Sequence, residues 1–273
     1  MTTPITEAGC VRRATNSQKG RTRSIDPASS AVEHLHYGRI ILDSGDAPLT
    51  FQTEGLETAL ICLNGRAEVS AGGSTFALGR YDAVYVPRDQ QVRVAPQSEG
   101  CDLAEIAAPV TGSYPLQYVP FADVQKTPSL HFPTGGPTDR RTVNIVIGKN
   151  VQAGRILAGV TFTEPGNWAS WPPHEHAAML EEVYLYIAMP APNWGIQLVY
   201  TNPQQPELNV VVHEGDCVAM PAGYHPNVSA PGTSMGFLWM MAARREVTDR
   251  EFGVVNVQPE YAAGGSGLEA SRK

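Results

Sequence analysis

The sequence predicts an all-β protein of two tandem antiparallel barrels, on the basis of three observations. Short, apolar, strand-like runs recur at a spacing of about 8–12 residues, and each run is ended by Gly, Pro, Asp or Asn. The 273 residues include 26 Gly and 22 Pro, and only 17% are charged, which disfavours both long helices and a disordered chain. The succession of runs also occurs twice along the chain, which indicates an internal repeat.

The runs divide the chain into five segments. Residues 1–36 are predicted to form an N-terminal arm, 37–109 a first barrel, 110–139 a linker, 140–248 a second barrel and 249–273 a C-terminal tail. The linker is rich in Pro, Gly, Ser and Thr and shows no sustained period. The predicted strands of the first barrel are GRIILDSG, ETALICLNG, AEVSAGG, STFALG, DAVYVP, VRVAP and CDLAEIAAP, and those of the second are TVNIVIG, RILAGVTFT, EEVYLYIAM, GIQLVYT, LNVVVHEG, DCVAMP and GFLWMMAA.

The repeat can be followed residue by residue. Residues 79–87 read GRYDAVYVP and residues 213–221 read HEGDCVAMP, so that Asp82 corresponds to Asp216. Upstream of these, ETALICLNG at 57–65 stands where EEVYLYIAM stands in the second half. Each half is therefore predicted to form one small barrel.

Charge and cysteine usage restrict the expected partners and compartment. Lys and Arg number 20 against 27 Asp and Glu, a net charge of -7, whereas nucleic acids and anionic membranes require a basic surface. No stretch reaches the roughly 18 apolar residues that span a bilayer, no secretory signal is visible, and the four dispersed cysteines form no CxxC pair. We expect a soluble cytoplasmic protein with buried free thiols, whose partner is a small molecule or another subunit.

Histidines of the second barrel form a candidate metal site. His174 and His176 lie two residues apart, and side chains at i and i+2 project from the same face of a strand. A carboxylate from the next strand and His225 from a distant strand complete a set of three imidazoles and one carboxylate. This mixed set suits zinc, manganese, iron, cobalt or nickel, and its spacing resembles the two sequence motifs of a cupin barrel.

Strand periodicity helps to choose the carboxylate. Glu182, Tyr184 and Tyr186 share one face of their strand, and the apolar residues between them share the other. A polar, aromatic-lined pocket fits the first set, which favours Glu182 as the ligand. The shorter spacing from His176 keeps Glu181 as the alternative.

The first barrel lacks the same ligands. Gln91 stands at the position that corresponds to His225, and residues 51–54 read FQTE rather than containing an HxH pair. His34 and His36 form a second HxH, but no strand carboxylate follows them at the required spacing, so surface histidines are predicted there. One barrel is therefore expected to bind metal and the other to act as scaffold.

The motifs of the second barrel resemble those of the bicupin uronate isomerases. Residues 165–176 read PGNWASWPPHEH, 180–184 read LEEVY and 221–226 read PAGYHP, which are similar to 5-deoxy-glucuronate isomerase of inositol catabolism. Residues 140–144, RRTVN, and 237–242, FLWMMA, look more like 4-deoxy-L-threo-5-hexosulose-uronate ketol-isomerase of pectin breakdown. The resemblance covers most of the chain and implies a bicupin, two jelly-roll barrels in tandem, with aldose–ketose isomerase activity.

The implied reaction moves a hydrogen between C1 and C2 of an open-chain deoxy-uronate, either as a proton or as a hydride. The implied cofactor is a divalent metal ion, zinc or manganese ahead of iron, cobalt or nickel, which polarises the reacting oxygens as a Lewis acid. Glu181 is the candidate general base. Tyr184, Tyr186 and Tyr224 are candidates to bind substrate hydroxyls.

The carboxylate of a uronate also requires a cationic side chain. Arg140, Arg141 and Lys149 lie near the start of the second barrel and are candidates, and arginine suits bidentate recognition of a carboxylate. Two other functions stay open, namely an Fe(II) cupin dioxygenase and a non-catalytic sugar-binding bicupin. A homo-oligomer is expected because sheet edges need covering.

Overall fold

Antiparallel strands dominate the structure, a computed structural model that describes residues 4–264. The helical elements are short: α1 spans Glu7–Cys10, α2 spans Phe121–Lys126, and a 3-10 turn spans Pro259–Gly264. The predicted all-β class is confirmed. In chain order the strands are β1 Val11–Arg12, β2 Gly20–Ile25, β3 His36–Leu42, β4 Leu49–Gln52, β5 Leu56–Ala71, β6 Ser74–Leu78, β7 Ala83–Val86, β8 Gln91–Pro109, β9 Gln117–Val119, β10 His131–Thr134, β11 Arg141–Ile147, β12 Ile156–Thr163, β13 Trp168–Ala169, β14 His174–Glu175, β15 Leu180–Ile187, β16 Gly195–Val199, β17 Leu208–Val212, β18 Cys217–Met220, β19 Asn227–Ser229, β20 Gly236–Ala243 and β21 Asn256–Val257.

The first barrel is an eight-stranded sheet that bends back on itself. Six strands run in the order β2-β3-β8-β5-β7-β9, while β4 pairs with β8 and β6 pairs with β5. The long strands β5 and β8 change register beside Gly65. Gly65 has a φ of +68°, and a Cβ there would lie 2.2 Å from the carbonyl oxygen of Gly100, so this bend requires glycine.

The second barrel is formed mainly by two sheets. A seven-stranded sheet runs in the order β1-β18-β15-β20-β12-β11-β10, and a four-stranded sheet runs in the order β13-β19-β16-β17. Strand β17 alternates buried and exposed residues, as expected for a strand covered on one face. Strands β15 and β20 are buried at every position, and a single cluster of buried apolar side chains extends across both barrels.

Corresponding strands occupy corresponding places in the two barrels. Strand β5 lies between β8 and β7, and β15 lies between β20 and β18. Strand β9 extends the first sheet beyond β7, and β1 extends the second beyond β18. Asp82 accepts a hydrogen bond from the backbone N–H of Phe121 at 2.7 Å, and Asp216 accepts one from Ala14 at 2.9 Å. Each of these corresponding aspartates therefore binds the backbone just after the strand that extends its sheet, β9 in the first barrel and β1 in the second.

The predicted arm, linker and tail contain more regular structure than their sequence pattern indicates. Strand β2 belongs to the first sheet, β1 belongs to the second, and residues 110–139 contain β9, α2 and β10. Residues 249–264 fold back on the second barrel through β21, and residues 265–273 of the predicted tail lie outside the described residues. These strands have two to six residues, which is too short for a period to show, and pairing with a neighbouring strand creates them.

The cysteines are buried and free, as predicted. Burial raises the pKa of Cys62 and of Cys217 to about 12, so both thiols stay protonated and pack as small apolar groups.

Within residues 4–264, no helix is long and apolar enough to cross a membrane.

We expect His36 to make the protein less stable in acid. His36 is half-buried in β3 rather than on the surface as predicted. Burial, together with the positive charge of Arg23, lowers the pKa of His36 from 6.5 to about 4. Between about pH 6.5 and pH 4 the unfolded chain therefore binds a proton at His36 and the folded protein does not. The contribution of neutral His36 to the free energy of unfolding is complete above about pH 6.5 and is lost as the pH falls toward 4. The free energy of unfolding of His36→Gln should decline less than that of the wild type over this window, as measured by urea unfolding.

The matched control is His213→Gln, because His213 is a surface histidine with 60% of its side chain exposed. This variant should follow the wild-type pH dependence. Equal declines in the wild type and in His36→Gln would contradict the prediction.

Candidate metal centre and substrate pocket

Three side chains of the second barrel bring their ligand atoms together. His176 follows β14, Glu182 lies in β15, and His225 precedes β19. Their donor atoms lie within 4.8 Å of one another, and all three residues are buried. They are the one group of three or more metal-ligating side chains that converges in this way within residues 4–264.

Backbone carbonyls orient the imidazoles. The Nδ1 atom of His174 lies 2.9 Å from the oxygen of Pro172, that of His176 lies 3.1 Å from the oxygen of Leu180, and that of His225 lies 3.0 Å from the oxygen of Gly223. A carbonyl oxygen only accepts, so each Nδ1 carries the hydrogen and donates it. In the neutral form each Nε2 then presents a lone pair, as metal-ligating histidines do.

The carboxylate of Glu182 is held in its ionised form. Burial alone would raise its pKa, but the hydrogen bond from His176 and the adjacent His225 outweigh burial and hold the pKa at about 2. In turn, burial would lower the pKa of His176, but Glu182 outweighs it and raises that pKa. The site therefore supplies an anionic oxygen beside imidazole nitrogens.

The arrangement fits a divalent metal ion. Nε2 of His225 is buried and makes no hydrogen bond, although it lies 3.1 Å from Oε2 of Glu182, which itself lies 3.0 Å from Nε2 of His176. A cation among these atoms would satisfy the unpartnered nitrogen and the carboxylate together. The ring of His174 lies 5.0 Å from that of His225 and 6.3 Å from that of His176, so the fourth predicted ligand lies beside the other three.

A pocket opens above this group. Its cavity volume is about 50 Å³, which exceeds the roughly 10–15 Å³ that one water molecule needs. Its base includes His174, His176 and Glu182. The other polar lining residues are Arg141, Thr161, Ser170 and Tyr184, and the apolar ones include Val143, Leu180, Phe237, Trp239, Met241, Phe252, Val254 and Val255.

Residues 252–258, which we call the strap, pass beside the pocket, and residues 252–255 line it. Phe252 stacks on Trp239 with ring centroids 4.8 Å apart, and Val257 pairs with His174 in the two-stranded sheet β14-β21. The backbone N–H of Gln258 donates to the oxygen of Pro173 at 2.8 Å. The sequence pattern did not assign the strap to the site; its one signal was the apolar run GVVNV within the predicted tail.

Glu181 does not face the pocket, which corrects its prediction as general base and removes it as the alternative ligand. Adjacent side chains of a strand point to opposite faces, so Glu181 points away where Glu182 points in. Its carboxylate accepts hydrogen bonds from the backbone N–H groups of residues 33–35. Glu175, between the two histidines, also points elsewhere and accepts from the backbone N–H of Ala177.

Of the predicted carboxylate-binding residues, the structure brings Arg141 to the pocket. Arg141 is buried in the pocket wall and donates to Asp139 and to the carbonyl oxygen of Trp171. The neighbouring Arg140 is exposed. Lys149 is also exposed, 3.3 Å from Glu251, and neither Arg140 nor Lys149 lines the pocket.

Of the predicted tyrosines, Tyr184 lines the pocket. Its hydroxyl lies 2.6 Å from that of Ser170, and burial raises its pKa well above 10, so it stays protonated. Tyr186 is buried behind the pocket and donates to Gln197. Tyr224 packs its ring against Tyr200 and does not line the pocket.

Comparisons with known proteins identify the family of the chain. The sequence profile of the KduI/IolB family matches residues 10–256. The chain belongs to the KduI/IolB family. Its curated relatives include 5-deoxy-glucuronate isomerase of Geobacillus kaustophilus, which is 29% identical over 243 residues, 83% of this chain and 86% of the relative.

Solved structures show the same fold. An IolB-like protein from Salmonella typhimurium LT2 has a TM-score of 0.83 at 24% identity, over 94% of this chain and 99% of that one. A cupin 2 conserved barrel domain protein from Leptotrichia buccalis has a TM-score of 0.54 at 12% identity, over 88% and 99% of the two chains. The predicted cupin fold is therefore confirmed, and so is the prediction of an enzyme of the isomerase class in this KduI/IolB family member.

Proposed function

We propose that this protein is a metal-dependent aldose–ketose isomerase of a deoxy-uronate. The observation that carries the proposal is the convergence of His176, Glu182 and His225, the first two of which line a pocket that also contains the buried Arg141. These three side chains, with His174 beside them, would hold zinc or manganese. The bound metal would supply a Lewis acid for the substrate oxygens.

The preferred substrate is 5-deoxy-D-glucuronate, converted to 5-dehydro-2-deoxy-D-gluconate in inositol catabolism. The curated relatives named 5-deoxy-glucuronate isomerase support this choice. The pocket supports a sugar acid that lacks one hydroxyl, because the cationic Arg141 lines it together with several apolar side chains. The alternative substrate within the family is 4-deoxy-L-threo-5-hexosulose-uronate.

The polar residues of the pocket have distinct roles in this proposal. Arg141 binds the substrate carboxylate, and its bonds to Asp139 and Trp171 fix the direction of its guanidinium. The protonated hydroxyl of Tyr184, held by Ser170, donates to a substrate oxygen. The strap excludes water from the pocket over the reacting carbons.

The test is a substrate and metal panel on metal-free protein. Reconstitution with zinc, manganese, iron, cobalt or nickel, followed by ketose measurement with each deoxy-uronate, should restore isomerisation with at least one pair. A reaction run in deuterated water should show whether C1 gains solvent deuterium, which separates proton transfer from a hydride shift. Oxygen consumption without a ketose product would instead indicate a dioxygenase, and sugar binding without turnover would indicate a non-catalytic protein.

We expect Phe252→Ala to weaken substrate binding. The change removes the stacking on Trp239 and opens one wall of the pocket. An aromatic pair contributes about 0.5–1.5 kcal/mol, so KM should rise about 2- to 10-fold with a smaller change in kcat. Trp194→Ala is the control, because Trp194 is an exposed aromatic residue that does not line the pocket. Unchanged KM in Phe252→Ala would remove the strap from the substrate site.

We also propose that the enzyme works in the cytoplasm as a homo-oligomer on a free sugar acid. The net charge of -7 supports a partner that is neither nucleic acid nor an anionic membrane. Size-exclusion chromatography with light scattering tests the oligomeric state, and a monomeric mass would contradict this part of the proposal.

A further inference from the structure

Two buried glutamates occupy corresponding places in the two barrels. Glu57 is the second residue of β5 and Glu181 is the second residue of β15, and these strands correspond in the repeat. Both residues are 0% exposed. A buried carboxylate is costly unless hydrogen-bond donors surround it, so the partners of each carboxylate show what it does.

Each carboxylate binds three consecutive backbone N–H groups of the other barrel. Glu57 accepts from residues 154–156 at 2.7, 2.6 and 2.8 Å, and Glu181 accepts from residues 33–35 at 2.7, 2.7 and 2.5 Å. Residues 33–35 lead into β3 of the first barrel, whereas residues 154–156 lead into β12 of the second. The two contacts are reciprocal, and charge-assisted bonds to backbone N–H groups are among the stronger hydrogen bonds in proteins.

The surroundings of the two glutamates differ in two respects: Glu57 also accepts a hydrogen bond from the hydroxyl of Tyr85 at 2.7 Å, and the residue that follows each glutamate is different. The residue after Glu181 is Glu182, whose carboxylate points into the pocket, whereas the residue after Glu57 is Thr58 in the barrel without metal ligands. Fixing Glu181 on one face of β15 therefore fixes the backbone from which Glu182 extends on the other face. Glu57 has no such neighbour.

A second contact joins residues 33–35 to the loop between the metal-binding side chains. The guanidinium of Arg244 lies 2.8 Å from the carboxylate of Glu33 and donates to the carbonyl oxygen of Ala177 at 2.6 Å. The backbone N–H of Arg244 donates to the oxygen of Met179 at 2.8 Å. Ala177 and Met179 lie between His176 and Glu182, so the first barrel also holds the loop that sets the spacing of these two ligands.

We infer that Glu181 is a positioning residue through which the first barrel holds the metal centre of the second in a binding geometry. Its equivalent Glu57 makes the same kind of contact without reaching the metal centre. The inference rests on the proposed metal-dependent function. If Glu181 acts in this way, the first barrel, which lacks metal ligands, contributes directly to the metal affinity of the second.

The test compares equivalent substitutions at the two sites. Glu181→Ala should weaken metal binding about 10- to 100-fold, the usual effect of removing a group that orients a metal ligand. Glu57→Ala should lower the melting temperature by a similar amount but leave metal affinity within about twofold. Affinity is measured by chelator competition with zinc and with manganese on the full-length, metal-free protein, and the melting temperature by calorimetry.

A conservative variant covers the case in which Glu181→Ala fails to fold. Glu181→Gln keeps one carbonyl oxygen to accept from His34 and Leu35 and loses the acceptor for Glu33, so its metal affinity should lie between those of the wild type and Glu181→Ala. Equal losses of metal affinity in the Glu57 and Glu181 variants would overturn the inference, because they would reflect general destabilisation. Wild-type affinity in both Glu181 variants would also overturn it, whereas a wild-type protein that binds no metal would instead refute the proposed function.

Discussion

Glu182→Gln is expected to lose metal binding and to lower kcat/KM by more than about 100-fold. Removing a group that only orients a metal ligand costs about 10- to 100-fold, and Glu182 is itself the anionic oxygen of the donor set. The amide has nearly the same shape, but it carries no charge to attract a cation or to stabilise the imidazolium form of His176, whose Nε2 lies 3.0 Å from the Glu182 carboxylate. Metal content by elemental analysis and steady-state isomerisation kinetics measure the two effects.

Glu175→Gln is the matched control for this prediction. Glu175 lies between His174 and His176, yet its carboxylate binds the backbone N–H of Ala177 and the side chain of Asn256, outside the pocket. The same chemical change there should leave metal content unchanged and kcat/KM within a few-fold. Full metal occupancy and activity in Glu182→Gln would refute the proposed metal centre.

Arg141→Ala is expected to raise KM for the sugar acid about 10- to 150-fold. A hydrogen bond to a charged group contributes about 1.5–3 kcal/mol, and each 1.4 kcal/mol changes affinity tenfold. Arg141→Lys should recover part of this loss at most, because an ammonium group cannot make the bidentate contact of a guanidinium. Initial-rate kinetics with the deoxy-uronate give KM and kcat for each variant.

Two comparisons separate carboxylate recognition from a structural role of Arg141. Arg140→Ala removes a neighbouring arginine whose side chain is exposed, and it should leave KM unchanged. Competitive inhibition by an unreactive sugar acid should weaken in Arg141→Ala, while inhibition by its uncharged alcohol analogue should not. Equal weakening of both inhibitors would show that Arg141 supports the pocket wall rather than binding the carboxylate.

Strand content and the repeat were predictable from sequence because both depend on local patterns. Branched and aromatic runs ended by Gly, Pro, Asp or Asn predict strands wherever the run is long enough to show a period. Strands β1 and β21 have two residues each, so nothing local distinguishes them from a loop. They form because β18 and β14 present backbone groups that need hydrogen-bond partners.

Strand periodicity was enough to choose between the adjacent residues Glu181 and Glu182, but not to identify the partner of Glu181. Alternation along β15 predicted that Glu182 shares a face with Tyr184, and the structure places both in the pocket. Alternation also implied that Glu181 faces the other way. It could not show that the backbone N–H groups of residues 33–35 lie on that side and bind the carboxylate. That partner lies 146 to 148 positions away in the sequence.

The sequence by itself determined the all-β class, the two repeated units, and which residues are candidates to carry the site chemistry. Residue types, spacing and strand alternation are enough for these, because each is decided within a few neighbouring positions. Only the tertiary structure decided that Arg141 rather than Arg140 reaches the pocket, that the strap closes one wall, and that Glu181 joins the barrels. These outcomes depend on which distant segments pack together, and that is set by burial and hydrogen-bond satisfaction across the whole chain.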